Sequence, residues 1–179
     1  MTQSVADAEI LKHLVTTVSG YDRVDASRIG IIGYSDGGWH AAQLCARDQR
    51  IRAMVGMSGR YSKVGGPEHV MVSGPADAAI RIARWKAGAR PTPDLFPWDH
   101  DSSTFDVAHQ IRCPMLIVAG SNEPEIFRLL GAQLASLVPT AMLKIWHGGE
   151  HCARNIPDAL EQAADWMQRQ LALTGSGSP

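Results

Sequence analysis

The 179-residue sequence predicts an α/β fold: a mostly parallel sheet of about four strands, flanked by helices and carrying one lid-like insertion. Three observations carry that expectation. Short apolar runs at 29–32, 51–57, 114–120 and 141–146 alternate with stretches of helical periodicity. The run 51–57 is nearly all apolar, as suits a strand covered on both faces. And Gly33-Tyr34-Ser35-Asp36-Gly37-Gly38 joins the first run to an alanine-rich helical segment, so the chain reads strand, sharp turn, helix.

Taken in order, residues 5–18 predict a helix with Ile10, Leu11, Leu14, Val15 and Val18 on one face, ended by Gly20. Residues 22–27 form a turn in which Asp25 or Ser27 caps locally. After the glycine–serine turn, the helix over 39–47 carries Ala41, Ala42, Leu44, Cys45 and Ala46, small enough to lie close to a sheet. From Ser58 to about Gln110 the pattern loosens around Gly65-Gly66-Pro67, Gly74-Pro75 and Pro91-Thr92-Pro93, with one helix expected over 76–87. An insertion of this length, about 60–110, reads as a cap over the serine, with Trp85, Leu95, Phe96, Trp98 and Phe105 as apolar walls, or equally as plain core. Beyond the third strand, 124–137 predicts a helix with Ile126, Leu129, Leu130, Leu134 and Leu137 on one stripe. The last helix, starting near Pro157, should bury Leu160, Ala163, Ala164, Met167 and Leu171. One domain over 1–173 and a flexible tail over 174–179 complete the division.

Charge and composition narrow the function. The net charge of −1 comes without a basic block, which argues against nucleic acid as a partner. No run is long and apolar enough to span a bilayer, and residues 1–7 lack the basic and apolar regions of a signal peptide. The three cysteines, Cys45, Cys113 and Cys152, form no C-x-x-C, and reduced thiols in a cytoplasmic protein are expected. No cofactor is expected, since no G-x-G-x-x-G or phosphate loop follows a strand.

Sites in parallel sheets form at the carboxyl ends of strands. Three loops there carry candidate chemistry. Ser35 lies in G-x-S-x-G, on a turn expected to force it to φ > 0, with side chains at Gly33 and Gly37 both expected to collide. A serine hydroxyl needs a base, and the base an orienting carboxylate. His151, beyond the fourth strand, and Glu123, three residues after Gly120, would supply them in the order Ser, acid, His. His147 competes with His151; Glu125, Asp99, Asp101 and Asp106 compete with Glu123. The N–H of Asp36, at the start of the helix, would face a developing oxyanion. Metal binding is the weaker reading of His147 and His151, because Gly148-Gly149 between them is a poor helix and H-E-x-x-H does not occur.

On these residues the sequence resembles the α/β-hydrolase superfamily from about Arg23 to the final helix. Asp25-Ala26-Ser27-Arg28-Ile29 leading into Gly33-Tyr34-Ser35-Asp36-Gly37-Gly38 looks like the nucleophile elbow of dienelactone-hydrolase-like and acyl-peptidase-like members. The stretch 111–123 looks like the strand and acid turn, with Glu123 where the family usually has Asp. Gly148-Gly149-Glu150-His151-Cys152 is similar to the histidine loop of the pigment-type polyketide hydrolases and the pseudooxynicotine hydrolases. The resemblance implies a serine hydrolase of an ester, or of a carbon–carbon bond beside a ketone, acting on a small molecule through an acyl-enzyme. It also implies about four more strands upstream and, on one of their loops, a second oxyanion donor. The expectation is therefore an elbow strand at an open sheet edge. Either self-association or a partner chain would complete it, or the chain works poorly alone. Loss of one oxyanion donor typically costs ~10²–10³ in turnover. A non-catalytic, accessory hydrolase-like subunit is the competing expectation.

Overall fold

The computed structural model describes residues 3–62 and 103–175. Its elements are α1 (Gln3–Ser19), β1 (Ile29–Tyr34), α2 (Asp36–Arg47), β2 (Ile51–Met57), α3 (Thr104–Val107), β3 (Met115–Gly120), α4 (Glu125–Leu137), β4 (Ala141–Trp146) and α5 (Ala159–Gly175). The strands form one parallel sheet in the order β1-β2-β3-β4. All four strands therefore end on the same side, and the turns after β1, β3 and β4 carry Ser35, Glu123 and His151.

Side chains alternate across the two inner strands and divide the core by face. Met54, Met115 and Ile117 join Leu44, Cys45 and Leu134 on the α2 and α4 side. Ala53, Val55, Met57, Leu116 and Val118 join Ala163 and Met167 on the α5 side. Burial on both faces explains why these strands are apolar runs rather than alternating ones. The insertion begins and ends at one point: the Thr104 N–H and the Ser103 hydroxyl both donate to the Tyr61 carbonyl, at 2.8 and 3.2 Å.

Several expectations need correction. Of the apolar face expected on α1, Val15 is buried and Leu11 half-buried, while Ile10, Leu14 and Val18 stand 60%, 55% and 41% exposed. The cause is the sheet edge: among the described residues β1 pairs on one side only, with β2, so the outer flank of α1 has nothing to cover it. On α4 the buried stripe is Phe127, Leu130, Gly131 and Leu134, with Leu129 and Leu137 exposed. The final helix starts at Ala159 rather than near Pro157. Its Leu160 and Ala164 are exposed, so Ala163 and Met167 alone are fully buried from the expected set. That helix continues through Gly175, into the expected flexible tail. Phe105 packs against the core, the second of the two roles expected for it. The expected helix over 76–87, the residues Trp85, Leu95, Phe96, Trp98, Asp99 and Asp101, most of the expected lid and the last four tail positions lie outside the described residues. The short α3 was not anticipated, although Ser103 and Asp106 form a capping box around its start. Among the described residues no helix is long and apolar enough to cross a membrane.

Candidate active site

Ser35 sits between β1 and α2 at φ 52°, ψ −120°, a conformation a serine adopts only when its surroundings enforce it. Two features enforce it here. Its N–H donates to the Met57 carbonyl at 2.9 Å, fastening the turn to β2. And the chain doubles back so closely that a Cβ on Gly33 would lie 2.2 Å from the Gly37 carbonyl oxygen. Gly33 must therefore be glycine, but Gly37 need not be. A Cβ there would meet no described atom within 4 Å, which corrects the expected collision on both sides of the serine. Of the other elbow residues, Tyr34 is 40% exposed, and Gly38 brings α2 against the turn after β2, its Cβ position 3.0 Å from the Gly59 Cα.

The acid and histidine loops are built against each other. A Cβ on Gly120 would fall 2.1 Å from the Gly149 carbonyl oxygen, so only glycine lets the two turns approach. They are then stitched together by the Asn122 N–H to the Gly149 carbonyl and the Gly148 N–H to the Ser121 hydroxyl, both 2.8 Å. Arg128 on α4 donates to the carbonyls of Ser121 and Glu123 at 3.0 and 3.1 Å, closing the acid turn from below. The Glu123 side chain is fully buried; its Oε1 accepts the Gly120 N–H at 2.7 Å. Its Oε2 lies 3.0 Å from His151 Nδ1, and His151 Nε2 lies 3.0 Å from Ser35 Oγ. Phe127 packs against the imidazole, ring centroids 4.5 Å apart.

The structure thus brings Ser35, His151 and Glu123 to one point and keeps their competitors away. His147 is exposed beyond the end of β4, Glu125 is exposed at the start of α4, and Asp106 is occupied in the cap of α3. Among the described residues no group of three or more His, Cys, Asp and Glu could hold a metal ion.

His151 is pushed up to about 9 by the neighbouring Cys152 sulfur and then by the Glu123 carboxylate, against burial, which pulls it down. Asp36, the first residue of α2, pairs through its carboxylate with Arg60, at 2.8 Å to Nε and 2.7 Å to Nη2. A bare carboxylate beside Ser35 would oppose negative charge developing there; the nearly buried Arg60 guanidinium offsets it. Sequence reasoning missed Arg60, Arg128, Phe127 and Ser58. Arg60, Phe127 and Ser58 act through contacts between segments distant in sequence, Arg128 through the fold-back of the adjacent acid turn, and none lies in a recognisable motif.

The fold is shared with solved α/β hydrolases. The 2,6-dihydroxy-pseudo-oxynicotine hydrolase matches with TM-score 0.69 and 23% identity over 92% of this chain, which spans only 46% of that enzyme's length. The α/β hydrolase GrgF from Penicillium sp. sh18 matches with TM-score 0.69 and 17% identity, over 94% of this chain and 73% of its own. The meta-cleavage product hydrolase from Pseudomonas fluorescens IP01 gives TM-score 0.59 and 13% identity, over 96% and 72%. Such low identities establish the fold and nothing finer. No curated protein sequence matches the chain. The serine hydrolase family FSH1, in contrast, matches residues 3–163, from the first described helix into the last. With nearly its whole length matched and an α/β-hydrolase fold, the chain belongs to the FSH1 serine hydrolase family.

Proposed function

We propose that the protein is a serine hydrolase that cleaves an ester, or a carbon–carbon bond beside a ketone, through an acyl-enzyme on Ser35. The observation that carries this reading is the unbroken relay Ser35 Oγ, His151 Nε2, His151 Nδ1, Glu123 Oε2, with both contacts at 3.0 Å. In the neutral imidazole Nδ1 carries the proton, held by Glu123, so Nε2 is the free base that faces the hydroxyl. Ser35 Oγ attacks the carbonyl carbon as its proton passes to Nε2. The carbonyl oxygen becomes an oxyanion against the N–H of Asp36 and the N-terminal end of α2. Collapse expels the leaving group, which takes the proton from Nε2. Water, deprotonated by the same nitrogen, then attacks the acyl group and releases the acid and free Ser35. Glu123 stays ionised throughout, orienting the ring and stabilising the imidazolium.

Ester and carbon–carbon cleavage share these steps up to the leaving group. Turnover of short and long p-nitrophenyl esters narrows the acyl group accepted, and cleavage of a β-diketone or ring-cleavage-type ketone separates the two. The test of the mechanism is labelling of Ser35 by a fluorophosphonate: the wild type should label and Ser35→Ala should not. Absence of labelling in every assembly state overturns the reading.

The edge of β1, unpaired among the described residues, supports a second statement, about assembly. A groove of about 420 Å³ lined by Ile10, Leu11, Ile31, Ile32 and Tyr34 flanks the edge on one face of the sheet. A second of about 570 Å³, lined by Tyr34, Met57, Cys152 and Leu160, lies on the other. An uncharged strand with apolar clefts on both faces is suited to added strand and helix structure. A second copy or a partner chain would supply it, and with it a second oxyanion donor. Self-association predicts a stable homodimer by sedimentation, whereas a split enzyme predicts poor behaviour until the other part is added. A well-behaved monomer with full activity refutes both. An accessory subunit without catalysis predicts no labelling and tolerance of both Ser35→Ala and His151→Ala.

A further inference from the structure

We propose that Ser58 is a positioning residue: its hydroxyl oxygen holds the histidine loop to the end of β2 and so sets the distance between His151 and Ser35. The inference rests on the serine hydrolase reading above and extends it to a strand that contributes none of the three relay side chains.

The end of β2 touches both sides of the relay. Met57, its last residue, accepts the Ser35 N–H at 2.9 Å, so the nucleophile's backbone hangs on this carbonyl. The Cys152 sulfur lies 3.5 Å from the same oxygen. Ser58 follows directly. Its N–H donates to the Val118 carbonyl on β3 at 2.7 Å, and its Oγ accepts the Cys152 N–H at 2.8 Å. Cys152 is the residue after His151. Two consecutive residues at one strand end therefore anchor the backbone of the nucleophile and the backbone beside the base, the nucleophile and base being 116 positions apart in the chain.

The local backbone is shaped for this contact. Ser58 lies at φ 51° and Cys152 at φ 59°, both in the left-handed region that side chains other than glycine seldom enter. Ser58 is 1% exposed, so its oxygen has no water to replace the bond. Residue 152 has a second, longer tie to the sheet, its sulfur 3.5 Å from the Met57 carbonyl, and Gly148 and Gly149 bond to the acid turn; the loop's other bonds do not duplicate the Ser58 contact. Glu150 N–H to Asn155, Ala153 N–H to Glu150 and Asn155 Nδ2 to Gly148 all close on the loop itself. They keep the loop's shape but do not tie residue 152 to the sheet. Glu123 bonds the imidazole, yet a hydrogen bond at Nδ1 leaves the ring free to move about that contact. The Ser58 bond fixes the backbone from which the ring projects.

The test uses Ser58→Ala and Ser58→Gly. Both remove the oxygen; glycine also relieves the left-handed backbone, so it keeps the fold where alanine strains it. Fluorophosphonate labelling rate is measured per folded molecule, together with kcat and KM on a p-nitrophenyl ester. His151 is titrated independently by NMR of the ¹⁵N-labelled imidazole. The expected result for Ser58→Gly is a fall of about 10- to 100-fold in labelling rate and kcat, with KM within about twofold, since a displacement near 1 Å is enough for that loss. The His151 titration should move below its wild-type position as the ring leaves its partners. A Ser58→Gly protein that labels at the wild-type rate per folded molecule, with His151 titrating as in wild type, overturns the proposal. A wild type that does not label while Ser58→Gly still moves the His151 titration sinks the hydrolase reading and leaves the positioning role standing.

Discussion

Reactivity of Ser35 should rise steeply on the alkaline side of neutrality. His151 is held at about 9, above the 6.5 of an unperturbed imidazole, first by the Cys152 sulfur and then by Glu123. Only neutral imidazole can take the serine proton. With that value roughly 1% of molecules carry a neutral His151 at pH 7 and half of them at pH 9, so labelling should quicken about 50-fold between the two. Cys152→Ala removes the first cause. The limb should then move to lower pH, and the variant at pH 7 should stand closer to its own plateau than the wild type does. The assay is the second-order rate of fluorophosphonate inactivation as a function of pH, which avoids the ionisation of a nitrophenol product. Stability should respond with the opposite sign. A folded-state value above the unfolded one means that His151 contributes stability below about 6.5, and that this contribution is lost as pH rises through about 9. Melting temperature from this group should thus fall over the same window in which reactivity climbs, and less so in Cys152→Ala. A wild-type limb centred near 6.5, or one that Cys152→Ala leaves in place, would refute the reasoning.

Two further substitutions test other parts of the site. Gly33→Ala drives a Cβ to 2.2 Å from a backbone oxygen and 2.5 Å from its carbon, neither able to yield, and should destabilise by more than ~4 kcal/mol or prevent folding. Gly37→Ala meets no described atom within 4 Å and lies in the first turn of α2, so thermal unfolding should be unchanged or improved by up to about 1 kcal/mol. Glu123→Gln keeps the shape of a fully buried side chain but favours the wrong imidazole tautomer. Turnover should drop by about 10²–10⁴-fold with the fold intact by circular dichroism, and a loss under about threefold would remove Glu123 from the relay.

The sequence by itself determined the sheet and which three polar side chains meet at its carboxyl edge. Ile51–Met57 and Ala141–Trp146 are legible to the residue because each mostly apolar run is bounded by polar residues; β2 is buried on both faces, whereas β4 leaves Met142 and Ile145 exposed. Ser35, Glu123 and His151 are legible because each lies in the turn that follows a strand, and in a parallel sheet such turns share one edge. What the tertiary structure decided is everything that depends on which face or which partner a residue meets. Helical periodicity marked Ile10, Leu14 and Val18 as an apolar ridge, but only the one-sided pairing of β1 leaves that ridge exposed. The motif made Gly33 and Gly37 look equivalent; the fold-back of the elbow requires the first and leaves space at the second. Arg60 against Asp36 and Ser58 beneath the histidine loop join segments far apart in the chain, and Arg128, only five and seven positions from two of the carbonyls it holds, meets them because the acid turn folds back over α4. Local pattern fixes what a segment becomes, since hydrogen bonds and burial within an element repeat with its period. The groups that hold a site in register are chosen by packing between elements, and that is a property of the folded chain alone.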